Sequence, residues 1–277
     1  MPELPEVELV ARSLNELVCG RRIAEAALIR PRLAPHTLPN EFAERLSGAG
    51  IRLVHRRGKH VLFDFDNGET LIVHLRMSGR FLLLGGDHEN PKFTHAIFDL
   101  GDGDRLVFED QRHFGLMKIT PTHELLTAKE IAKLAPEPFS EEFSADYLYT
   151  SLRRSNRSLK EFLLDQTKVC GLGNIYAAEA MFLAGVHPAK IAARLSRKRT
   201  EALYATIRYV LAEAIEAGST LNTDPQNPEI GYYGGRYEDY WRVYGRENRP
   251  CPNCQSPIVR LKQAGRSSYF CPRCQRK

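Results

Sequence analysis

Apolar side chains recur at three- and four-residue intervals from the start of the chain, which is the spacing of one face of a helix. The residues are Leu4, Val7, Val10, Ala11, Leu14, Leu17 and Val18. Gly20 follows them, and glycine commonly ends a helix. We therefore predict a first helix over residues 3–18.

The pattern changes between residues 51 and 119 to short runs rich in β-branched and aromatic side chains. These runs are HVLFDF, TLIVHL, RFLLL, HAIFDL and RLVFED, and the turn sequences DNG (66–68) and GDGD (101–104) punctuate them. Successive short strands joined by tight turns pair antiparallel. We predict an antiparallel β-sandwich or flattened barrel in this part of the chain.

Helical spacing returns after PEPFS at 136–140, because the two prolines interrupt regular structure. Ser158 and Glu161 have the spacing of a capping box, and Gly218 ends the last apolar-periodic segment. Four helices are predicted, at about 141–152, 159–166, 174–184 and 197–217. The segment 219–249 is rich in Gly, Asn, Pro and Tyr, which predicts a long loop.

These patterns predict a multidomain α+β protein, and a chain of 277 residues is long enough for two domains with separate cores. The predicted parts are 1–124, an N-terminal helix with an antiparallel β-sandwich; 125–138, a linker; 139–218, a helical domain; 219–249, a connecting loop; and 250–277, a cysteine-bearing end.

Four of the six cysteines form two Cys-x2-Cys pairs separated by 16 residues, and these are Cys251, Cys254, Cys271 and Cys274. Four thiolates at this spacing close a tetrahedral zinc site, and the stretch between the pairs, PIVRLKQAGRSSYF, has the pattern of a two-stranded zinc ribbon. A site with four protein ligands leaves no position for water, so we expect one zinc ion with a structural role. We expect no organic cofactor. Four free thiols are the alternative.

Basic residues are concentrated at the carboxyl end. The net charge is +5, but residues 242–277 hold nine Lys or Arg and one acid, while the other 241 residues hold 30 basic and 33 acidic residues. This asymmetry indicates a module that binds a polyanion, although a solvated basic tail would give the same count. Because no signal pattern or apolar span is present, we expect a soluble intracellular protein without membrane contact.

The chain begins MPELPEVELV, and these residues suggest either a helix start or a reactive amine. If Met1 is removed, Pro2 presents a secondary amine, and a helix amino end disfavours its protonation. Such an amine can attack an aldehyde-level carbon, while Glu3 or Glu6 donates a proton to a leaving oxygen. Proline followed by acids is also ordinary helix-capping chemistry, and the two interpretations remain open at this point.

Six separated motifs resemble the formamidopyrimidine-DNA glycosylase family over the whole chain. They are PELPEVE (2–8), RRGKH (56–60), HLRMSG (74–79), DQRHFG (110–115), GLGNIYA (171–177) and the four-cysteine end that closes with CPRCQ. The resemblance implies a bifunctional glycosylase and AP lyase of base-excision repair. It also implies that residues 139–218 are a helix-two-turn-helix domain, that 219–249 cap the extruded base, and that 250–277 are a zinc finger.

The resemblance implies a catalytic role for four residues. Pro2 attacks C1′ of the damaged nucleotide, Glu3 protonates the sugar ring oxygen, Glu6 organises the site, and Lys59 contacts phosphates near the lesion. Base loss, a covalent Schiff base and elimination at the β and δ positions follow.

The same resemblance implies DNA contacts. Met77, Arg112 and Phe114 fill the space that an extruded base leaves, with Arg112 bound to the orphaned cytosine. Asn174 and Arg266 contact phosphates, and the zinc ion makes the hairpin that carries Arg266 rigid. Taken without their motifs, Met77 and Phe114 would be ordinary core residues, and Lys59 a solvated strand edge.

The resemblance implies that the partner is double-stranded DNA containing oxidised bases or abasic sites, bound by a monomer in the bacterial cytoplasm with a nucleoid-associated function. Local departures from the family pattern are Phe93, His113 and the length of the 219–249 loop. Three alternatives remain: an endonuclease VIII-type enzyme for oxidised pyrimidines, a non-catalytic protein that binds damaged DNA, and a zinc-ribbon transcription or translation factor. The last explains only the carboxyl end.

Overall fold

The strand-rich segment forms two four-stranded antiparallel sheets in a computed structural model, which describes residues 1–221, 224–226 and 235–277. One sheet has the order β1-β6-β7-β5 and the other β2-β3-β4-β8. The strands are β1 (Glu25–Leu28), β2 (Ile51–Arg57), β3 (His60–Phe65), β4 (Glu69–His74), β5 (Gly79–Gly85), β6 (Thr94–Asp99), β7 (Asp104–Asp110) and β8 (Leu116–Pro121). The predicted antiparallel sandwich is confirmed.

Aromatic side chains from the two sheets meet in one apolar core. The ring centroids of Phe63 and Phe81 are 5.3 Å apart, and those of Phe81 and Phe108 are 5.1 Å apart. Helix α1 (Leu4–Val18) contributes the buried residues of its predicted apolar face, and α2 (Pro39–Leu46) contributes Phe42. Burial of one such side chain stabilises the fold by about 1.5–3 kcal/mol.

The chain divides into two compact units. The first comprises Met1–Ala132 and Thr220–Gly235, and the second comprises Lys133–Ser219 and Arg236–Lys277. The first unit thus takes in a short segment that follows the helical part of the chain.

The second unit contains the four helices predicted from the sequence, with small differences at their ends. They are α3 (Ala145–Arg153), α4 (Leu159–Leu164), α5 (Asn174–Leu183) and α6 (Arg197–Glu216). The predicted capping box is present, because Ser158 Oγ accepts the Glu161 N–H at 3.3 Å and Glu161 Oε2 accepts the Ser158 N–H at 3.2 Å. Among the residues described, no helix is both long and apolar enough to cross a membrane.

The carboxyl end forms the predicted hairpin, in which β9 (Val259–Gln263) pairs with β10 (Arg266–Phe270). Its two-residue turn has Ala264 at φ 48° and Gly265 at φ 73°. Two left-handed residues match the twist of a tight hairpin. Arg266 therefore lies at the hairpin tip.

The predicted 219–249 loop falls partly outside the described residues, since 222–223 and 227–234 are not among them. Its described part includes a short 3-10 helix, Arg236–Tyr240. Tyr237 in this helix is fully buried. Its ring is stacked on the ring of Tyr240, with the two ring centroids 5.6 Å apart.

Candidate active site and nucleic-acid interface

The residues that directly follow Met1 are buried and held by hydrogen bonds. Pro2, Glu3 and Glu6 are all buried, and Glu6 Oε2 accepts the backbone N–H of Glu3 at 2.8 Å. Glu6 Oε1 accepts the backbone N–H of Thr220 at 3.2 Å and its hydroxyl at 2.9 Å. Pro5 lies in the first helical turn, where a backbone N–H has no partner within the helix. The N–H that proline lacks is therefore not needed at this position. Capping chemistry therefore fixes the carboxylate of Glu6 without excluding a reactive role for its neighbours.

Met1 lies beside the residues proposed to fill the space of an extruded base. A cavity of about 530 Å³ is lined by Met1, Met77, His113 and Phe114 together with Arg32 and Arg76. While Met1 is attached, the nitrogen of Pro2 is a tertiary amide and cannot act as a nucleophile. The fold thus brings the start of the chain and the Met77 and Phe114 loops to one cavity.

The carboxylate of Asp110 organises the loop that carries Arg112 and Phe114. Its Oδ2 accepts the N–H groups of Phe114 and Gly115, both at 2.7 Å, and its Oδ1 accepts the Arg112 N–H at 3.1 Å. The Ser78 hydroxyl also donates to Oδ1, so Asp110 also holds the loop that contains Met77 and Ser78. Burial raises the pKa of Asp110, but these hydrogen bonds outweigh burial and leave the pKa below its ordinary value. Asp110 therefore stays ionised and joins the two loops.

Two side chains on this loop face solvent. Phe114 is 46% exposed, and the Arg112 guanidinium carbon lies 5.3 Å from the centre of its ring, in cation–π contact. Met77, on the adjoining loop, is half-buried. An exposed phenylalanine beside a cation suits insertion between bases, where apolar and stacking contacts compensate for unstacking.

Lys59 lies in the turn between β2 and β3, where Gly58 has φ 59°. It is only 6% exposed, so it is not a solvated strand edge. The strand that leads into the turn is fixed to α1, because Arg56 Nε donates to Glu8 Oε2 at 2.6 Å. Lys59 is therefore held in a constrained turn.

In the second unit, Asn174 and Arg266 lie close together although they are far apart in sequence. Asn174 Nδ2 donates to the carbonyl of Ser267 at 3.2 Å, and Ser267 follows Arg266 in the hairpin. Lys160 Nζ donates to the same carbonyl at 2.6 Å and is only 1% exposed. Lys160 was not predicted from the sequence, because nothing in its spacing distinguishes a buried lysine from a solvated one.

Glu179 was likewise not predicted from the sequence. It anchors the segment that leads into the zinc ribbon. Its carboxylate is fully buried and accepts the backbone N–H groups of Arg242, Val243 and Tyr244, each at 2.9 Å. Arg242 in turn donates to both carboxylate oxygens of Glu213, at 2.7 and 2.9 Å. Burial raises the pKa of Glu179, although the three N–H groups and Arg242 oppose the shift.

The four predicted zinc ligands converge. Their sulfur atoms all lie within 4.8 Å of one another, with Cys254 and Cys271 at 3.4 Å and Cys251 and Cys274 at 3.9 Å. Tetrahedral zinc with bonds of about 2.3 Å requires sulfur atoms about 3.8 Å apart, so the donor set fits one structural zinc ion with four cysteine ligands. Gln275 secures the site, since its Oε1 accepts the Cys271 N–H and its Nε2 donates to the carbonyl of Val186, both at 2.9 Å.

Three family models match successive parts of this chain. The formamidopyrimidine-DNA glycosylase N-terminal domain matches residues 1–117, the H2TH domain of the same family matches 134–225, and the zinc finger found in FPG and IleRS matches 249–276. The chain belongs to the formamidopyrimidine-DNA glycosylase family. It is accordingly a DNA glycosylase that binds DNA and carries a zinc finger.

Individual relatives agree with this family membership. A formamidopyrimidine-DNA glycosylase of Cereibacter sphaeroides is 43% identical, and the alignment covers all of both chains. The Lactococcus lactis Fpg in complex with abasic-site DNA has a TM-score of 0.91 at 33% identity, covering 99% of this chain and 100% of that chain. The same L. lactis protein in complex with DNA that contains an oxidised pyrimidine has a TM-score of 0.92 at 33% identity, covering 100% of both chains.

Proposed function

We propose that this glycosylase excises oxidised purines, 8-oxoguanine and formamidopyrimidines, from duplex DNA through a Schiff base on Pro2 and then cleaves the strand. The observation that carries this proposal is the buried Pro2-Glu3-Glu6 start beside the cavity that Met1, Met77 and Phe114 line. In the proposed division of roles, residues 1–124 carry the chemistry and 139–218 and 250–277 bind the backbone. The enzyme acts as a monomer on nucleoid DNA in the cytoplasm.

The chemistry begins once aminopeptidase trimming has removed Met1. The Pro2 nitrogen bonds to C1′ of the damaged nucleotide, and the base departs with the glycosidic electron pair and takes up the proton that the amine loses. Glu3 donates a proton to the ring oxygen as the sugar opens. The product is an iminium ion, which is cationic without further protonation. Loss of a C2′ proton then expels the 3′ phosphate, and a second elimination expels the 5′ phosphate. Hydrolysis of the iminium returns the free amine.

Extrusion of the damaged nucleotide leaves a space in the duplex, and refilling it compensates for a few kcal/mol of unstacking. Phe114 is placed to wedge a base step, Met77 to fill the gap, and Arg112 to bind the orphaned cytosine. Asp110 supports this assignment, because its carboxylate bonds the main chain of Arg112 and Phe114 and the hydroxyl of Ser78. The 219–249 loop, which we propose caps the extruded base, lies partly outside the described residues.

Lys59, Asn174 and Arg266 are proposed phosphate contacts, and the two cations among them give a salt-dependence prediction. Lys59→Ala and Arg266→Ala should each weaken binding to lesion-bearing and undamaged duplexes alike. Each should also lower the slope of log K against log salt by about one unit, because one fewer counterion is released. Fluorescence anisotropy titrations over a range of salt measure both quantities.

Lys262→Ala is the matched control, since this exposed lysine lies on the same hairpin as Arg266 and carries no proposed contact. It should leave the slope near that of the unchanged protein. If Lys59→Ala or Arg266→Ala instead changed the preferred opposite base with the slope intact, its assignment as a phosphate contact would be wrong.

Lesion preference is the experiment that tests the proposed function. Excision rates are compared under single-turnover conditions on duplexes that carry 8-oxoguanine, a formamidopyrimidine or thymine glycol at one position. We expect the two purine lesions to be excised faster, with a product gap of one nucleotide. Arg112→Ala should lose discrimination between cytosine and adenine opposite the lesion while retaining excision.

Excision of oxidised pyrimidines is the second candidate function, because the L. lactis Fpg that this chain resembles has been crystallised with DNA containing an oxidised pyrimidine. Faster excision of thymine glycol than of both purine lesions would select it. Binding to all three duplexes without base release or a covalent adduct, by protein with a verified free Pro2, would indicate a non-catalytic damage-binding protein.

A further inference from the structure

His113 stands between Arg112 and Phe114 in an unusual backbone conformation. Its φ is 58°, in the left-handed region that non-glycine residues seldom adopt. Its backbone N–H makes only a long bond, 3.3 Å, to the carbonyl of Asp110. The side chain is half-buried and lines the cavity that Met1 and Met77 also line.

The ring of His113 is hydrogen-bonded to a second, buried histidine. His113 Nδ1 lies 2.9 Å from Nε2 of His95, and the two ring centroids are 5.0 Å apart. His95 lies on β6 and is 3% exposed, and its carbonyl accepts the N–H groups of Ile29 and Arg30. His95 is therefore fixed by the sheet, and the bond holds His113 to it.

The neighbouring carbonyl assigns the protons in this pair. His95 Nε2 also lies 3.1 Å from the main-chain oxygen of Asp110, and a carbonyl oxygen can only accept. His95 Nε2 must then carry hydrogen and donate to both partners, so His113 Nδ1 accepts. A histidine that accepts at Nδ1 is the neutral tautomer with hydrogen on Nε2, and protonation at Nδ1 would break the bond.

Several charges surround the two rings. Burial lowers the pKa of His95, and the charges of His113 and Arg30 act in the same direction, whereas Asp110 opposes them. Arg32 and Arg76 line the same cavity as His113. The ring centroid of Phe93 lies 5.9 Å from the ring centroid of His113. His95 is accordingly the neutral donor of the pair.

We propose that the hydrogen bond between His95 and His113, with His113 Nδ1 as the acceptor, positions Arg112 for reading the base opposite the lesion. This role rests on the function proposed above for Arg112. Asp110 accepts from the backbone N–H groups on either side of His113, and the imidazole bond supplements the long backbone bond of the left-handed residue between them. When that bond is lost, His113 relaxes toward negative φ and the directions of the flanking side chains change. His113 is a positioning residue and does not touch the reacting atoms.

Two substitutions separate this role from a general contribution to folding. His113→Asn keeps an acceptor near the position of Nδ1 and tolerates the left-handed conformation. His113→Leu has similar size but no acceptor. The ratio of excision rates opposite cytosine and adenine is measured for both variants and for the unchanged protein. Thermal unfolding of each protein is measured alongside.

His113→Asn should retain the discrimination of the unchanged protein, because it keeps the acceptor. His113→Leu should have discrimination reduced by at least about fivefold, the lower end of what a bidentate base contact contributes. If His113→Leu does not fold, His113→Ala, which also lacks an acceptor, is compared with His113→Asn in its place.

Discrimination equal to that of the unchanged protein in folded His113→Leu would contradict the proposed role. The same loss in His113→Asn as in His113→Leu would also contradict it. Arg112→Ala distinguishes the two levels of the proposal: if it leaves discrimination unchanged, Arg112 is not the reader and the proposed function is wrong at that point. If Arg112→Ala abolishes discrimination and His113→Leu does not, only the role of the histidine pair is wrong.

Discussion

Glu3→Gln should slow base excision by about 10²–10⁴-fold, the range that a positioned general acid contributes. Glutamine keeps the size of the side chain but cannot donate a proton to the opening sugar ring. Affinity for a duplex that contains a stable abasic-site analogue should change little, because the substitution leaves the phosphate contacts in place. Single-turnover release of 8-oxoguanine and anisotropy titration measure the two effects separately.

Glu8→Gln is the matched control for this substitution. Glu8 belongs to the same helix and undergoes the same change of charge, but its carboxylate pairs with Arg56 at 2.6 Å and Arg12 at 2.7 Å. Its excision rate should stay within about threefold of the unchanged protein, since a partly exposed ion pair contributes at most about 1 kcal/mol. Excision by Glu3→Gln at the rate of Glu8→Gln would rule out Glu3 as the acid.

Cys251→Ala should weaken specific DNA binding by about 10³-fold, which is the lower end of the usual ratio of specific to non-specific affinity. A four-thiolate site supplies folding free energy to a small ribbon directly, and measured zinc affinities of finger peptides correspond to about 10–16 kcal/mol. Without the metal, the hairpin that places Arg266 beside Asn174 loses its support. Zinc content by plasma emission spectrometry and DNA affinity are measured on the same preparation.

Cys19→Ser provides the control for loss of a thiol, because Cys19 is exposed and lies outside the cluster of four sulfurs. It should retain one zinc ion per chain and full affinity. Chelation of zinc from the unchanged protein should reproduce the loss seen with Cys251→Ala. Tight specific binding by protein shown to contain no zinc would mean that the metal does not support the DNA contacts.

Local spacing was sufficient to predict several parts of this molecule. Two Cys-x2-Cys pairs constrain four sulfurs over a short hairpin, and they converge as the spacing required. The capping box at Ser158 and the strand run after residue 51 also depend on neighbouring residues, and both are present. By contrast, β1 and α2 were not predicted, because EAAL is short and α2 begins at Pro39 after Leu38 with no polar capping side chain.

Contacts between residues distant in sequence could not be predicted in the same way. Lys160 reaches a carbonyl 107 residues away, and Glu179 binds three N–H groups more than 60 residues away. No periodicity encodes such pairings, because burial of a charge becomes favourable only when the fold supplies its partners. The DQRHFG motif indicated the importance of Arg112 and Phe114, but the carboxylate that holds both backbones became evident only from the hydrogen bonds of Asp110.

The identity of the nucleophile is tested most directly by trapping the covalent intermediate. The protein is incubated with abasic-site DNA in the presence of borohydride, which reduces an iminium to a stable amine, and the cross-linked peptide is located by mass spectrometry. We expect chains that lack Met1 and an adduct on the nitrogen of Pro2. An adduct on a lysine side chain, or full activity in protein whose intact mass still includes Met1, would contradict the proposed mechanism.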